Sequence, residues 1–547
     1  MKLRIAESPT ASWPHEWINQ GRPSMFRNKS TASAVLVACL AVAIGVATYW
    51  TSPRAEDFWW PDSASFALNG ALVHDYLVSG FRMSPLTFAN EWFRRFPAVT
   101  ISLYPPIFPL VEAIAFLLFG VSHAVAQAVV AAFTALAAVG IYRTARTALD
   151  WPAAAATMLL FAAAPGVFQW SRQVMMEIPS LAFLLLASAS LLRHQADGKS
   201  RDLWLSLLWT LAAIYTKQTA IFAVPAFAAS LVLAHGWRAA LRPPALTVAA
   251  CGVVALLPLL GFTLMMAPQL LDIAFGKMSA AHLSSDILWP TRLEQTTSYI
   301  LAMPEVIGWP LLLLSVLYAL LVMVRGWQTP AERRLGILLA GWFLCGFAYL
   351  GLTGHFESRY AVILVVPFAI APAQLGARLA GRAPHSYLPV CAAFLLFFIT
   401  LATGHIDRIA GYDRVAAYIL EHSAQDDVIW FQVYKTQNPS FSLRSRSAQP
   451  KVFVQRAEKL LVDYQIVREA GVQDLDWTSE RLADLMTKLG VSMVVLEPDF
   501  WVDLPSMQRM QTLIRSNAFK RVATFQIAAD NPAQRKLIEI YQRQHLP

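Results

Sequence analysis

The chain has 547 residues, 56% of them hydrophobic and only 14% charged, with a formal net charge of +9. A soluble globular protein carries roughly 25% charged residues, so these proportions exclude an ordinary soluble fold. The positive charge does not point to nucleic acid: the tail after Thr403 holds 18 basic and 17 acidic residues, so the surplus falls in short loops between apolar runs.

Residues 1–30 are polar, with Lys2, Arg4, Arg22, Arg27 and Lys29, and read as a cytoplasmic segment. The apolar stretch Thr31 to Trp50 follows without a small-residue cleavage site after it, so it reads as a retained first span. Residues 31–403 form the expected membrane domain. Apolar runs predict about 11 spans, near 31–50, 124–146, 152–168, 176–193, 203–216, 219–236, 244–264, 303–324, 335–353, 360–376 and 387–403. Basic residues at alternate ends, such as Arg143, Arg193, Arg242, Arg334 and Arg378, set those ends in the cytoplasm. The opposite ends and residues 404–547 are then extracytoplasmic, an arrangement that fits the periplasmic side of a bacterial inner (plasma) membrane.

Two stretches precede the second span. Pro105 to Gly120 is apolar but short, and crossing would break the charge alternation; it reads as a juxtamembrane helix on the outer surface. Asp62 to Ser79 mixes Asn69, His74 and Asp75 with apolar positions and reads as an interfacial amphipathic helix. After Gly404, helical patterns at Tyr412 to His422 and Thr478 to Leu489 alternate with β-rich runs at Val428 to Val433 and Val491 to Leu496, predicting a small α/β domain. Cys39, Cys251, Cys345 and Cys391 lie in apolar segments without disulfide or metal spacing and are expected to pack between helices. There is no phosphate-cradling glycine motif.

Charged residues at membrane ends carry the candidate chemistry, and each has a structural alternative. Asp62 opens the first outer helix, as a helix-start charge or as a general base shielded by Phe58, Trp59, Trp60 and Phe66. Asp57 and Glu56 are rivals that can hold acceptor hydroxyls or a cation. Glu177 stands at a helix mouth, where a charge is costly and is either paired, with Arg172 five residues away, or functional. Lys217 sits in a polar break, Tyr215-Thr-Lys-Gln-Thr219, as a snorkelling lysine or a phosphate ligand. Arg359 is either paired locally with Glu357 or a fork for phosphate oxygens, with His355 and Tyr360 beside it. Tyr104 precedes Pro105-Pro106 and closes the first outer loop.

Five segments in order carry a resemblance: the acidic motif at Asp62-Ser-Ala-Ser-Phe66, Tyr104-Pro-Pro followed by Leu-Phe-Gly120, Ser171-Arg followed by Glu177-Ile-Pro179, Leu211 to Thr219, and Glu357-Ser-Arg-Tyr360. Over residues 31–376 the chain resembles the GT-C membrane glycosyltransferases, the superfamily of dolichyl-phosphate-mannose–protein mannosyltransferases and aminoarabinose–lipid A transferases. The resemblance implies a GT-C-like fold, an inverting transfer outside the membrane and a polyprenyl-phosphate sugar donor. It assigns Asp62 and Glu177 to catalysis, and Lys217, Arg359 and Arg172 to the donor phosphate. Asp57, Tyr104, Tyr360 and His355 are further substrate-binding candidates. Ser63 stands where members often carry a second carboxylate, and Tyr104 where they often carry lysine. No cofactor is required on this reading, and a divalent metal is compatible with it. The acceptor is a lipid, glycan or protein. The alternative is a transporter or flippase for an anionic lipid-linked substrate.

Overall fold

The computed structural model describes residues 30–268, 292–352, 356–380, 387–464, 472–516 and 518–544. It is mostly helical and ends in a sheet-containing domain. Each of the eleven apolar segments is helical, but they are not equal. Among the described residues, six helices are long and apolar enough to cross a membrane: Ala32–Thr51, His123–Ala145, Gln218–His235, Pro243–Met266, Pro330–Leu352 and Ser358–Leu379. The segment expected at 303–324 is broken. Leu293–Ile307 and Trp309–Arg325 meet at 108°, and Gly308 turns the corner at φ +89°, in the left-handed region that favours glycine. Ile107–Phe119, Trp151–Ala163 and Leu388–Thr403 are shorter apolar helices. Pro165 ends the Trp151–Ala163 helix and starts a separate one, Pro165–Trp170.

Two expectations need correction. The helix after the first span, Pro61–Val78, is no surface amphipath: Ser63 through Leu72 are all buried. Its polar residues are satisfied inside the protein, with Asn69 donating to Thr100 Oγ1 and accepting from Thr100 N. It is wedged between Ile107–Phe119 and a helix of the C-terminal domain, Gln437–Arg446. Nor do three of the four cysteines pack between helices: Cys39, Cys251 and Cys391 are exposed, whereas Cys345 is half-buried against the core. The outside of a bundle bathed in lipid is as apolar as its inside, so an apolar side chain there need not turn inward.

The C-terminal sheet has strands β1 (Ile409–Ala410), β2 (Val428–Gln432), β3 (Phe453–Arg456), β6 (Val491–Leu496), β7 (Phe519–Ala529) and β8 (Lys536–Arg543), in the order β1-β7-β8-β6-β2-β3. β4 (Val462–Tyr464) and β5 (Val472–Asp474) form a separate antiparallel pair. Strands β3, β2 and β6 are parallel, and β8, β7 and β1 continue the sheet antiparallel. Both strand runs read from the sequence are present, and the helix Tyr412–His422 has the expected bounds. The sheet's outer strands are covered by the membrane domain: Asp57 N donates to Ile409 O beside β1, and Val454 N of β3 donates to Arg94 O. One hydrophobic core runs through both regions, from Phe66 and Phe108 to Phe441 and Val454.

The two outer helices touch at Gly70, where a Cβ would stand 2.6 Å from Glu112 Cβ. Gly70→Ala is expected to force them apart, at a cost of about 1–3 kcal/mol. Thermal unfolding in detergent should show a lower midpoint; an unchanged midpoint would mean the contact yields freely.

Candidate active site

Four stretches of chain meet where helices begin. Pro61 occupies the first turn of the Pro61–Val78 helix, which places Asp62 at its electropositive end. The N-cap residue, Trp60, makes no side-chain capping bond. Asp62 Oδ2 accepts from Arg359 Nη1 at 2.7 Å. Glu177 is the first residue of the Glu177–Asp197 helix. Lys217 lies extended between the Ser200–Ile214 helix and a 3-10 turn, Gln218–Phe222. Arg359 belongs to the 3-10 turn Ser358–Leu364, which opens another apolar helix.

These side chains form one ionic cluster. Lys217 Nζ donates to Glu177 Oε1 at 2.5 Å, and Arg359 Nε lies 3.7 Å from the same oxygen. Arg359 also pairs with Glu357 and donates to the Tyr360 hydroxyl at 3.3 Å. Its guanidinium lies 5.4 Å from the Trp60 ring centroid, and Lys217 Nζ lies 4.9 Å from that of Tyr360. The ring of Tyr104 packs edge-on against Phe66 at 4.9 Å, at the edge of the cluster. Burial raises the Tyr104 phenol well above its usual range, and Asp62, Tyr360 and Glu177 add to the rise. Exposure separates the roles: the Glu177, Arg359 and Lys217 side chains are 2%, 5% and 8% exposed, and Asp62 35%. Glu177 Oε2 is buried with no hydrogen-bond partner among the described residues.

The cluster borders two hollows. One, beside Glu177, Lys217 and Tyr360, measures about 10 Å³, room for one water at most. The other is a cleft of about 470 Å³, walled by Trp60, Trp170 and Arg359 and by Asp407 from the chain leading into β1. Among the described residues no three His, Cys, Asp or Glu side chains converge as a metal-binding group. Ser63 Oγ donates to Met175 Sδ at 3.5 Å, deep beneath Asp62.

Other candidates lie apart. Arg172 does not pair with Glu177: Nε donates to Thr51 Oγ1 and Nη1 to Phe168 O, and its guanidinium stacks on Phe168. Tyr215 and Gln218, beside Lys217, donate to Ala255 O and Leu103 O, which ties the lysine's peptide to the outer loop. Asp57 is buried in the domain junction, where its Oδ2 accepts from the Gly411 and Tyr412 N–H groups. His355 lies outside the described residues, as do His282 and Asp286.

Nothing in the sequence pairs Phe58 and Trp59 with two residues 380 and 376 positions away that hold the loop before Asp62. Asn438 accepts from Phe58 N and donates to Phe58 O, and Lys435 Nζ donates to Trp59 O at 2.6 Å. With the three bonds of Asp57, six hydrogen bonds fix residues 57–59 to the C-terminal domain. Lys435 follows β2 at the carboxyl ends of the parallel strands, where open α/β sheets usually hold a ligand. Here that position grips the chain's own outer loop. Burial pushes the Asp57 carboxyl up to about 6, against the Tyr412 and Gly411 donors, and pushes Lys435 down to about 8.

A family model described as dolichyl-phosphate-mannose-protein mannosyltransferase matches residues 104–262. No curated protein matches the chain. Among solved structures, ArnT from Cupriavidus metallidurans bound to undecaprenyl phosphate is 15% identical, with TM-score 0.60, covering 93% of this chain and 98% of its own. AglB from Archaeoglobus fulgidus, an oligosaccharyltransferase with an inhibitory peptide and a dolichol-phosphate, is 12% identical, with TM-score 0.52, covering 92% and 75%. The arabinofuranosyltransferase AftD from Mycobacteria is 15% identical, with TM-score 0.52, covering 93% and 40%. These three likenesses establish the fold. The family match lies inside the membrane domain, over residues 104–262, and the solved structures share the fold across nearly the whole chain.

Asp57 makes docking pH-dependent. Its folded-state value is raised, so the stabilisation is full below about 3.8, the ordinary value, and is lost as pH rises through about 6. Hydrogen exchange at Gly411 and Tyr412 is expected to slow on going from pH 7 to pH 5, after correction for intrinsic rates. Asp57→Asn should flatten that response; an unaltered response would assign it to another group.

Proposed function

We propose that the protein transfers a sugar from a polyprenyl-phosphate donor to an acceptor hydroxyl on the extracytoplasmic side of a bacterial inner membrane, its chain crossing eleven times. One observation carries this: Arg359 joins Asp62 and Glu177 at the wall of a cleft, with Lys217 on the far side of Glu177. The arrangement offers a carboxylate open to an incoming hydroxyl, with cations behind it for a departing phosphate.

Chemistry follows from those positions. Arg359 holds Asp62 Oδ2, which orients the carboxylate towards an acceptor. Asp62 takes the acceptor's proton as the acceptor oxygen bonds to the anomeric carbon. The bond from that carbon to the phosphate oxygen breaks, with inversion, and the electron pair leaves on the polyprenyl phosphate. Arg359 and Lys217 exchange part of their carboxylate pairing for phosphate oxygens, so their charge meets the leaving group as it forms. Glu177 Oε2, without a partner among the described residues, accepts from a sugar hydroxyl on this reading. Tyr360 steadies both cations, and Tyr104 closes the cavity wall. Arg172 and Asp57 act through position, not contact. Nothing here calls for a metal. The cluster stands at helix starts rather than mid-span, which favours transfer over flipping of an anionic lipid.

The test is purified protein in detergent with an undecaprenyl-phosphate sugar and candidate acceptors, followed by mass spectrometry. Asp62→Asn retains an oxygen for Arg359 and should fold, yet lose about 10²–10⁴-fold in turnover. Near-wild-type turnover would reject Asp62 as the base. Lys217→Ala should raise the donor KM with less effect on kcat, provided its thermal midpoint shows a folded protein; an unchanged KM removes it from the phosphate site.

A further inference from the structure

The large cleft has a chemical character of its own. Trp59, Trp60 and Trp170 stand together on one side, with ring centroids 5.4 Å apart for Trp59–Trp60 and Trp60–Trp170, the latter pair edge-to-face at 87°. All three line the cleft. Flat indole faces backed by polar groups suit a ligand with one apolar and one hydroxylated face. Trp59 Nε1 is buried with no hydrogen-bond partner among the described residues, a donor left for such a ligand.

The charged groups facing these rings are mostly acidic, with Gln169 and Ser358 as neutral neighbours. Glu305 comes from the helix before the Gly308 corner, Glu357 from the chain before Arg359, and Asp407 from the chain leading into β1. Against these three carboxylates stand Arg359 and His405. Arg359 is already engaged by Asp62 and Glu357, and His405 lies 3.5 Å from both Asp407 and Asp530. The wall away from Arg359 therefore presents acceptors and negative charge. Carboxylates accept well from neighbouring hydroxyls and attract ammonium groups, while like charge disfavours a phosphorylated headgroup.

We infer that the acceptor held in this cleft is a saccharide that is neutral or carries amino groups, rather than a phosphorylated lipid headgroup or a peptide. The inference rests on the transfer reading for the word acceptor, but the binding it predicts stands without it. Glu305 and Asp407, on separate elements away from the ionic cluster, become the residues that set specificity.

The full-length protein in detergent, without donor, can be titrated by tryptophan fluorescence with four probes: a glucose trisaccharide, a glucosamine trisaccharide, a bis-phosphorylated glucosamine disaccharide and a serine/threonine-rich octapeptide. Both trisaccharides are expected to bind, glucosamine more tightly, and the phosphorylated disaccharide and the peptide at least about tenfold more weakly. Glu305→Gln with Asp407→Asn, at solvent-accessible positions outside the core, should remove most of the preference for glucosamine. Trp60→Ala should weaken both trisaccharides. Tighter binding of the phosphorylated disaccharide or the peptide, no saccharide binding at 10 mM (about −2.7 kcal/mol), or an unaltered ranking in the double variant would overturn the inference. If saccharides bind as ranked but no polyprenyl-phosphate sugar is ever consumed, the transfer reading fails while the cleft assignment survives.

Discussion

Arg359 is the hub on which the outer face of this protein depends. A guanidinium 5% exposed is costly to bury unless its charge and donors are met. Here Asp62, Glu177, Glu357 and Tyr360 share that task, and Lys217 neutralises the second charge on Glu177's side. Removing one partner from such a cluster leaves an uncompensated buried charge, a penalty of about 3–5 kcal/mol. The first outer helix, two membrane helix starts and the break before a third are therefore held in register by one ionic knot. The same knot stores cations beside a carboxylate that reaches solvent.

The C-terminal domain contributes to this face indirectly. Its parallel strands end against the loop that leads into Asp62, and Asn438 and Lys435 hold that loop by its backbone. Backbone contacts fix position irrespective of side-chain identity. The aromatic residues of the loop stay free to line the cleft while the domain sets where Asp62 stands. Phe58, His123 and Phe441 pack together across the junction, with centroids 4.6–5.1 Å apart, so the domain is continuous with the membrane core.

Much of the site was legible because charge at a membrane boundary is expensive and therefore rare. That rule, together with the motif resemblance, singled out Asp62, Glu177, Lys217 and Arg359, and the structure brings all four together. The same rule also selected Arg172 and Asp57, which meet their cost through Thr51, Phe168, Gly411 and Tyr412 instead. The presence of an expensive charge is visible in sequence; the partner that relieves it is not. The first outer helix was misplaced for a related reason. Mixed polarity suggested a water-facing side, but Asn69 finds its polar partner at Thr100, in the protein interior.

By itself, the sequence determined the polytopic helical architecture, the strand runs of the tail and the candidate charges, because hydrophobic length and desolvation cost are local properties of the chain. Tertiary structure alone decided which charges share a cluster, that the tail's strand ends grip residues 57–59, and that a tryptophan-walled cleft opens beside Arg359. Those facts depend on residues hundreds of positions apart becoming neighbours, and no local pattern encodes the distance between them.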